Sequence, residues 1–202
     1  YMVKSGLVDD PNVSQNMLTA HLGMAVFIYS LILWTVFDLS LNYNHAIRSR
    51  IKWMSSTLTL LIFLMILSGG LVAGTRAGIP FPTWPLMGDT FIPPQIYSMN
   101  PSWLSAFEDM ATIQFNHRMF AYLLTIFIVI FAIVLLRSNV PRFLKNGTTV
   151  LLFVLSLQVV LGISTLLFYI PIPVAAAHQV GAIALLSVSL FITHSCLSRK
   201  QM

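Results

Sequence analysis

Charged side chains are scarce in this sequence. Only 8% of its 202 residues are Asp, Glu, Lys or Arg, against about a quarter in ordinary soluble domains. Hydrophobic residues make up 57%, so the composition excludes an ordinary soluble domain and predicts an integral membrane protein. The net charge of +5 does not indicate nucleic-acid binding, because the basic residues stand between apolar runs and do not cluster on one solvated face.

Cysteine is almost absent as well. The single residue, Cys196, cannot form an internal disulfide and excludes metal sites built from several cysteines. A basic and then apolar leader is also lacking at Tyr1. We therefore expect the numbering to start partway through a longer natural protein.

Five apolar runs are each long enough to cross a hydrocarbon core of roughly 30 Å, which takes about 20 helical residues. They lie approximately at Leu18–Phe37, Trp53–Gly74, Met119–Leu136, Thr148–Ile170 and Val174–Cys196. Runs of this length without period-two alternation predict helices, since barrel strands alternate and backbone polar groups must be satisfied in lipid. The fold class is therefore all-α, with five transmembrane helices.

The basic residues predict the orientation of these helices. Eight of the 11 Lys and Arg residues fall in the first-to-second and third-to-fourth connections and the tail: Arg48, Arg50, Lys52, Arg137, Arg142, Lys145, Arg199 and Lys200. By the positive-inside rule this side faces the cytoplasm or the matrix. The opposite side carries Lys4, Arg76 and Arg118, and five of the six acids, Asp9, Asp10, Asp89, Glu108 and Asp109.

Three histidines are predicted to lie at one depth. His21, His117 and His178 each begin a helix that runs from the outer to the inner side, so we expect all three near the outer surface. His45 and His194 fall beside the inner basic loops and are predicted to be solvated or interfacial.

The outer connections differ in length. Between the second and third helices lie about 40 residues, 75–116, rich in proline and carrying Trp84 and Trp103. A structureless loop of that size is unusual, so we expect an ordered cap with short elements of its own. Between the fourth and fifth helices stands only Pro171-Ile172-Pro173, which predicts antiparallel neighbours.

The three outer histidines are candidates for binding a metal or a haem, although capping or a water-filled cavity would also explain a polar group there. An imidazole in the first turn of a helix meets the positive end of the helix dipole, which keeps it neutral and able to bind iron. Zinc usually takes further converging ligands. Haem iron needs two axial imidazoles and a slot for a flat ring, which a helical bundle provides.

Connectivity favours His117 and His178 as the axial pair. The last four helices are predicted to form an antiparallel four-helix bundle around a haem, with these histidines on its two parallel members. Each outer histidine is followed four residues later by alanine, at Ala25, Ala121 and Ala182. That spacing leaves room for a porphyrin edge on the same helix face, although small residues also serve plain helix packing.

Small and basic residues supply the remaining parts of the predicted site. Gly70 and Gly74 have the spacing that lets membrane helices approach closely, and Gly162, Ser164 and Thr165 lie at a comparable depth. Arg76 and Arg118 are candidates for binding haem propionates at the outer mouth; lipid phosphate is the alternative partner.

Several motifs resemble those of the haem A synthase family, in its mitochondrial and proteobacterial type. The most specific is the run Gly70-Leu-Val-Ala-Gly-Thr-Arg-Ala-Gly78 followed by Thr83-Trp-Pro-Leu-Met87 and Ile92-Pro-Pro94. The others are Met2-Val-Lys-Ser-Gly-Leu7, Ala20-His-Leu22, His117-Arg118, Leu161-Gly-Ile-Ser-Thr-Leu166 and His178-Gln179. The resemblance is collinear over nearly the whole chain.

The resemblance implies an eight-helix membrane enzyme of two similar halves, which oxidises the C8 methyl group of haem O to a formyl group and so makes haem A for cytochrome c oxidase. His117 and His178 match the pair that ligates a haem b cofactor, and His21 matches a histidine of the substrate half. By the same comparison, residues 1–52 contain the last helix of the substrate half and residues 53–202 the haem b bundle with its outer loop at 75–116. The family's first three helices, with a second substrate-site histidine and a glutamate, have no counterpart in this chain. We therefore expect the chain alone to bind cofactor haem without completing the reaction.

The resemblance also implies partners and a location. The expected partners are haem O and haem A, an electron donor such as a ferredoxin system, haem O synthase or oxidase assembly factors, membrane lipid and a second copy of the chain, with no nucleic acid. The expected location is the mitochondrial inner membrane, with the bacterial plasma membrane as the alternative. Two other functions stay open: a bis-histidine b-type cytochrome that only transfers electrons, and a transporter, which would favour discontinuous helices and paired intramembrane charges.

Overall fold

A computed structural model describes residues 14–41 and 45–198. The predictions made for Lys4, Asp9, Asp10, Arg199, Lys200 and the motif at residues 2–7 lie outside the described residues. Within them the chain forms helices joined by loops, with one isolated β-bridge between Met87 and Thr90. The predicted all-α fold class is confirmed.

Five long helices carry the fold, and two short elements stand between the second and third of them. The elements are α1 (Gln15–Ser40), α2 (Ser49–Thr75), a turn of 3-10 helix (Ser102–Leu104), α3 (Ser105–Glu108), α4 (Met110–Leu136), α5 (Arg142–Leu167) and α6 (Ile172–Leu197). The five long helices are long and apolar enough to cross a membrane. All five predicted spans are therefore confirmed, and the chain is an integral membrane protein.

The helices α2, α4, α5 and α6 pack as a ring of four. Helix α2 packs against α4 and α6, and α5 packs against the same two. Fully buried side chains such as Leu58, Ile128, Phe131 and Leu151 fill the space between them. Helix α1 lies outside this ring against α2 and α6. Short connections, 137–141 and 168–171, make α4, α5 and α6 successive antiparallel neighbours, as the proline-flanked turn predicts.

Glycines allow α1 and α2 to approach closely. A Cβ atom placed on Gly74 would meet the backbone Cα of Gln15 at 2.9 Å, and one on Gly70 would lie 3.2 Å from side-chain atoms of Thr19 and Leu22. The predicted close approach is thus present. Its partner is α1, however, and not a helix of the four-helix ring.

The connection between α2 and α4 is an ordered cap, as predicted, and runs over residues 76–109. Helix α2 ends at Thr75 because Arg76 takes a left-handed conformation (φ 56°), and the N–H of Ala77 then donates to Val72 O at 3.0 Å. Ala77 and Met87, which belong to the cap, are buried.

The start of α4 differs from the sequence prediction. The helix begins at Met110, nine residues before the predicted start at Met119, with Asp109 Oδ2 accepting from the N–H of Thr112 at 2.8 Å. His117 therefore lies in the second turn, as do His21 in α1 and His178 in α6. The prediction of first-turn histidines was wrong. The helix dipole acts mainly within the first turn, so it does not account for neutral imidazoles here.

His194 was predicted to be solvated or interfacial, and that prediction was wrong. The residue is 1% exposed near the end of α6. Its Nε2 lies 2.8 Å from Oδ1 of Asp38 on α1, and its ring meets Trp34 edge-on with the centroids 5.0 Å apart. His45 is exposed and its ring lies near Phe143.

Candidate functional site

His117 projects from α4 towards α2, where its ring contacts two adjacent residues. Ser68 Oγ lies 3.0 Å from His117 Nδ1 in a hydrogen bond. A Cβ atom on the next residue, Gly69, would lie 3.5 Å from His117 Cε1, at ordinary contact distance. The imidazole is half-buried against this part of α2 and is fixed there by one polar contact.

His178 projects from α6 towards α5 and is held differently. A Cβ atom on Gly162 would lie only 2.9 Å from His178 Cε1, so the ring occupies space that any other residue would fill. Gln158, one turn away on α5, donates from Nε2 to His178 O at 2.9 Å. The Oε1 atom of Gln158 occupies the space that a Cβ atom on Gly181 would need. Gly162, Gln158 and Gly181 together fix the α5–α6 contact at the level of this histidine.

The two histidines stand on opposite members of the ring, since α4 and α6 each pack mainly against α2 and α5. The other opposite pair, α2 and α5, supplies the glycines beside the rings. The site is therefore two imidazoles, each backed by a glycine on a neighbouring helix.

This arrangement fits the haem b that the family resemblance implies. Haem iron takes two axial imidazoles, and a four-helix ring can enclose a flat macrocycle. His178 Nδ1 is buried and has no partner among the described residues, and a buried polar atom of this kind is normally satisfied by a partner such as a ligand or water. The tight cradle at Gly162 is a second feature that favours a fixed imidazole.

The arginine next to His117 holds the outer cap. Arg118 is 6% exposed, and its NH1 and NH2 donate to Leu86 O at 3.1 Å and Phe81 O at 3.0 Å. Phe81 O also accepts from Gln114 Nε2 at 3.1 Å. The Nε of Arg118 has no partner among the described residues. Two of its three nitrogens are thus committed to the cap, whereas Arg76 is exposed at the end of α2.

His21 is exposed on α1 and does not join the other two histidines. Within residues 14–41 and 45–198, no group of three or more His, Cys, Asp or Glu side chains is placed to hold a metal ion. A separate cavity of about 670 Å³ lies between α1 and α2. Its lining includes Thr19, Phe27 and Ser68 but none of the three histidines.

Sequence reasoning missed three residues of the site. Gly69 was passed over because its neighbours Gly70 and Gly74 carry the helix-packing spacing. Gln158 carried a signal, since it is an amide in the middle of an apolar run and such groups are costly in lipid unless paired. Ser68 carried none, because a lone serine in a membrane helix usually bonds to its own backbone.

Comparison with known proteins gives one family and a consistent set of relatives. Residues 1–190 match the family COX15-CtaA, described as cytochrome oxidase assembly protein. The chain is similar to the heme A synthase of Nitrosospira multiformis, with 44% identity over 199 residues, which is 96% of this chain and 56% of that protein. It is also similar to heme A synthase of Parvibaculum lavamentivorans (38% identity; 96% of this chain, 55% of that protein). The heme A synthase COX15 of Bos taurus is 39% identical, over 95% of this chain and 49% of that protein. The chain thus spans about half the length of the curated relatives it matches.

Proposed function

The chain belongs to the COX15-CtaA family of cytochrome oxidase assembly proteins, and from that premise we propose that it is the haem b-binding part of a haem A synthase. The whole enzyme would oxidise the C8 methyl group of haem O to a formyl group. The names of the bacterial and mammalian relatives support this assignment.

His117 and His178 are the proposed axial ligands of haem b. The observation that carries this proposal is the pair of imidazoles on the opposite helices α4 and α6, with His117 set against Gly69 of α2 and His178 against Gly162 of α5. A bound haem b supplies one-electron transfer. The protein's part would be to hold the two rings in place, with Ser68 and Gly69 beside His117 and with Gly162 and Gln158 beside His178.

The remaining site residues have separate proposed roles. His21 belongs to the substrate haem site, most of which would be formed by the family's first three helices. Arg76 is the better placed of the two arginines to bind a propionate, because it is exposed at the outer end of α2. Arg118 is less well placed, since it is buried and its NH1 and NH2 each already donate one hydrogen bond to the cap.

The proposed activity is tested by pigment conversion. The full-length protein, supplied with a reductant and haem O, is expected to yield haem A, identified by extraction and chromatography of the haems. A known haem A synthase handled in parallel is the positive control. If that control makes haem A and this protein does not, the proposed activity is wrong.

The proposed ligands are tested by spectroscopy. His117→Ala and His178→Ala are each expected to abolish the low-spin b-type spectrum, because bis-histidine ligation needs both rings. His21→Ala is the matched control and is expected to keep that spectrum while losing haem A formation. A cytochrome that only transfers electrons would lose nothing in His21→Ala, and a retained spectrum in either of the first two variants would refute the pairing.

The cellular setting is proposed on the same basis. We expect the mitochondrial inner membrane, with the bacterial plasma membrane as the alternative, and the histidines towards the outer side. The expected partners are haem O, haem A and an electron donor such as a ferredoxin system, with haem O synthase or oxidase assembly factors nearby. A second copy of the chain is a further expected partner.

A further inference from the structure

Ser68 is unusual among the hydroxyl side chains of these helices. Most serines and threonines bond to a carbonyl of their own helix three or four residues earlier, as Ser30 does to Val26 O at 2.7 Å and Thr165 to Leu161 O at 2.7 Å. This is the usual behaviour of hydroxyls in membrane helices. The recorded partner of Ser68 Oγ is instead His117 Nδ1 on another helix, at 3.0 Å.

The two imidazoles consequently have different surroundings. His117 Nδ1 is paired with a hydroxyl, whereas His178 Nδ1 is buried without a partner among the described residues. The packing against glycine is tighter at His178. A Cβ atom placed on Gly162 would lie 2.9 Å from His178 Cε1, whereas one placed on Gly69 would lie 3.5 Å from His117 Cε1. The orientation of His178 is thus set by packing, and that of His117 by a hydrogen bond.

We propose that Ser68 is a positioning residue that turns His117 Nδ1 towards α2, leaves Nε2 for iron, and lowers the reduction potential of the bound haem. This inference rests on the proposed function, since it takes His117 as an axial ligand. A ring nitrogen that binds iron leaves the other as an N–H donor, and the Ser68 hydroxyl can accept that hydrogen. Such a hydrogen bond makes the ligand a stronger electron donor. The ferric state gains more from this than the ferrous state, so the potential falls.

The test compares reduction potentials in the full-length protein purified with its bound haem b. Ser68→Ala removes the acceptor, and Ser68→Thr keeps it. The extra methyl group of threonine has room, because Ser68 also lines the cavity between α1 and α2. Ser156→Ala is the matched control, because the Ser156 hydroxyl bonds to its own helix at Leu152 O and is exposed.

The expected result is a low-spin spectrum in all three variants, a more positive midpoint potential in Ser68→Ala, and parental potentials in Ser68→Thr and Ser156→Ala. If Ser68→Ala loses haem, retention of haem with the parental potential in Ser68→Thr supports the same role for the hydroxyl. A parental potential in Ser68→Ala, or loss of haem from both Ser68 variants, would overturn this inference alone. Absence of b-type haem from the unmodified protein would overturn the proposed function and this inference with it.

Discussion

Two glycines determine how closely the imidazoles of the site lie against neighbouring helices. The position of a Cβ atom at Gly162 is 2.9 Å from His178 Cε1, closer than real Cβ atoms approach other atoms. The same position at Gly69 is 3.5 Å from His117 Cε1. Similar residues on opposite sides of the site therefore differ in how much change they tolerate.

Gly162→Ala is expected to displace His178 and to lower haem affinity by about 10- to 100-fold, the usual effect of disturbing the support of a ligand. Gly69→Ala is the control and should retain haem, since its new methyl group would make an ordinary contact. Haem titration of the two purified variants measures the difference. Equal affinities would show that the cradle at Gly162 does not fix the ring.

His194 shows why some residues could not be placed from the sequence. It follows an apolar run beside basic residues, which resembles an interfacial position, and its hydrogen-bond partner, Asp38, is 156 positions away in the chain. A pairing between α1 and α6 depends on how the helices pack, and local sequence does not contain that information.

His194→Ala is expected to destabilise the protein by about 2–4 kcal/mol, because it leaves a cavity against Trp34 and Phe37. Asp38→Ala should cost about 1 kcal/mol or less, since the Asp38 side chain is 61% exposed and the pair is partly solvated. Thermal unfolding in detergent, followed by size-exclusion chromatography, compares the variants. A larger loss in Asp38→Ala would contradict this order.

At the scale of whole helices, hydropathy predicted the five spans but placed the start of α4 nine residues late. Gln114 and Arg118 read as loop residues because they are polar, yet both lie inside the helix and bond to the cap at Phe81 O. Tyr97 OH likewise donates to Asn116 Oδ1 at 3.0 Å. The partners of these polar side chains come from a distant segment, so composition alone could not show that the helix continues through them.

Arg118→Ala is expected to loosen the cap without unfolding the helices, because Leu86 O and Phe81 O each lose a donor. Limited proteolysis should cut within residues 76–109 several-fold faster than in the parent, while helix content by circular dichroism stays unchanged. Arg137→Ala, at the exposed opposite end of α4, is the control. Equal cleavage rates in the two variants would mean that Arg118 does not anchor the cap.

The contact between α1 and α2 gives a second prediction at this scale. Gly74→Ala is expected to destabilise the pair by about 1–3 kcal/mol, because its methyl group would press on the backbone of Gln15. Gly70→Ala should cost less, since the atoms nearest its methyl group belong to movable side chains. Thermal stability in detergent measures both, and an equal loss would contradict the distinction.

For the whole molecule, the sequence predicts the number and order of the helices better than it predicts which helices pack against one another. The faces of these helices are almost all apolar, so hydropathy does not indicate which face meets which helix. The short connections predicted that α4, α5 and α6 are successive antiparallel neighbours, but nothing in the sequence predicted that α1 packs against α2 and α6. The axial pairing of His117 and His178 stays a prediction that this packing supports.

The orientation of the molecule in its membrane rests on the distribution of basic residues and is open to direct test. The parent is Cys196→Ala, which replaces the single, buried cysteine. Asp89→Cys then places a thiol in the exposed cap, and Asn139→Cys places one in the exposed α4–α5 connection. By the positive-inside rule the first variant should react with a membrane-impermeant maleimide added from the outer side, and the second only after permeabilisation. The opposite labelling pattern would reverse the topology and would place the ends of α4 and α6 that carry His117 and His178 on the cytoplasmic or matrix side. Labelling of both variants from one side would show that α4 does not cross the membrane.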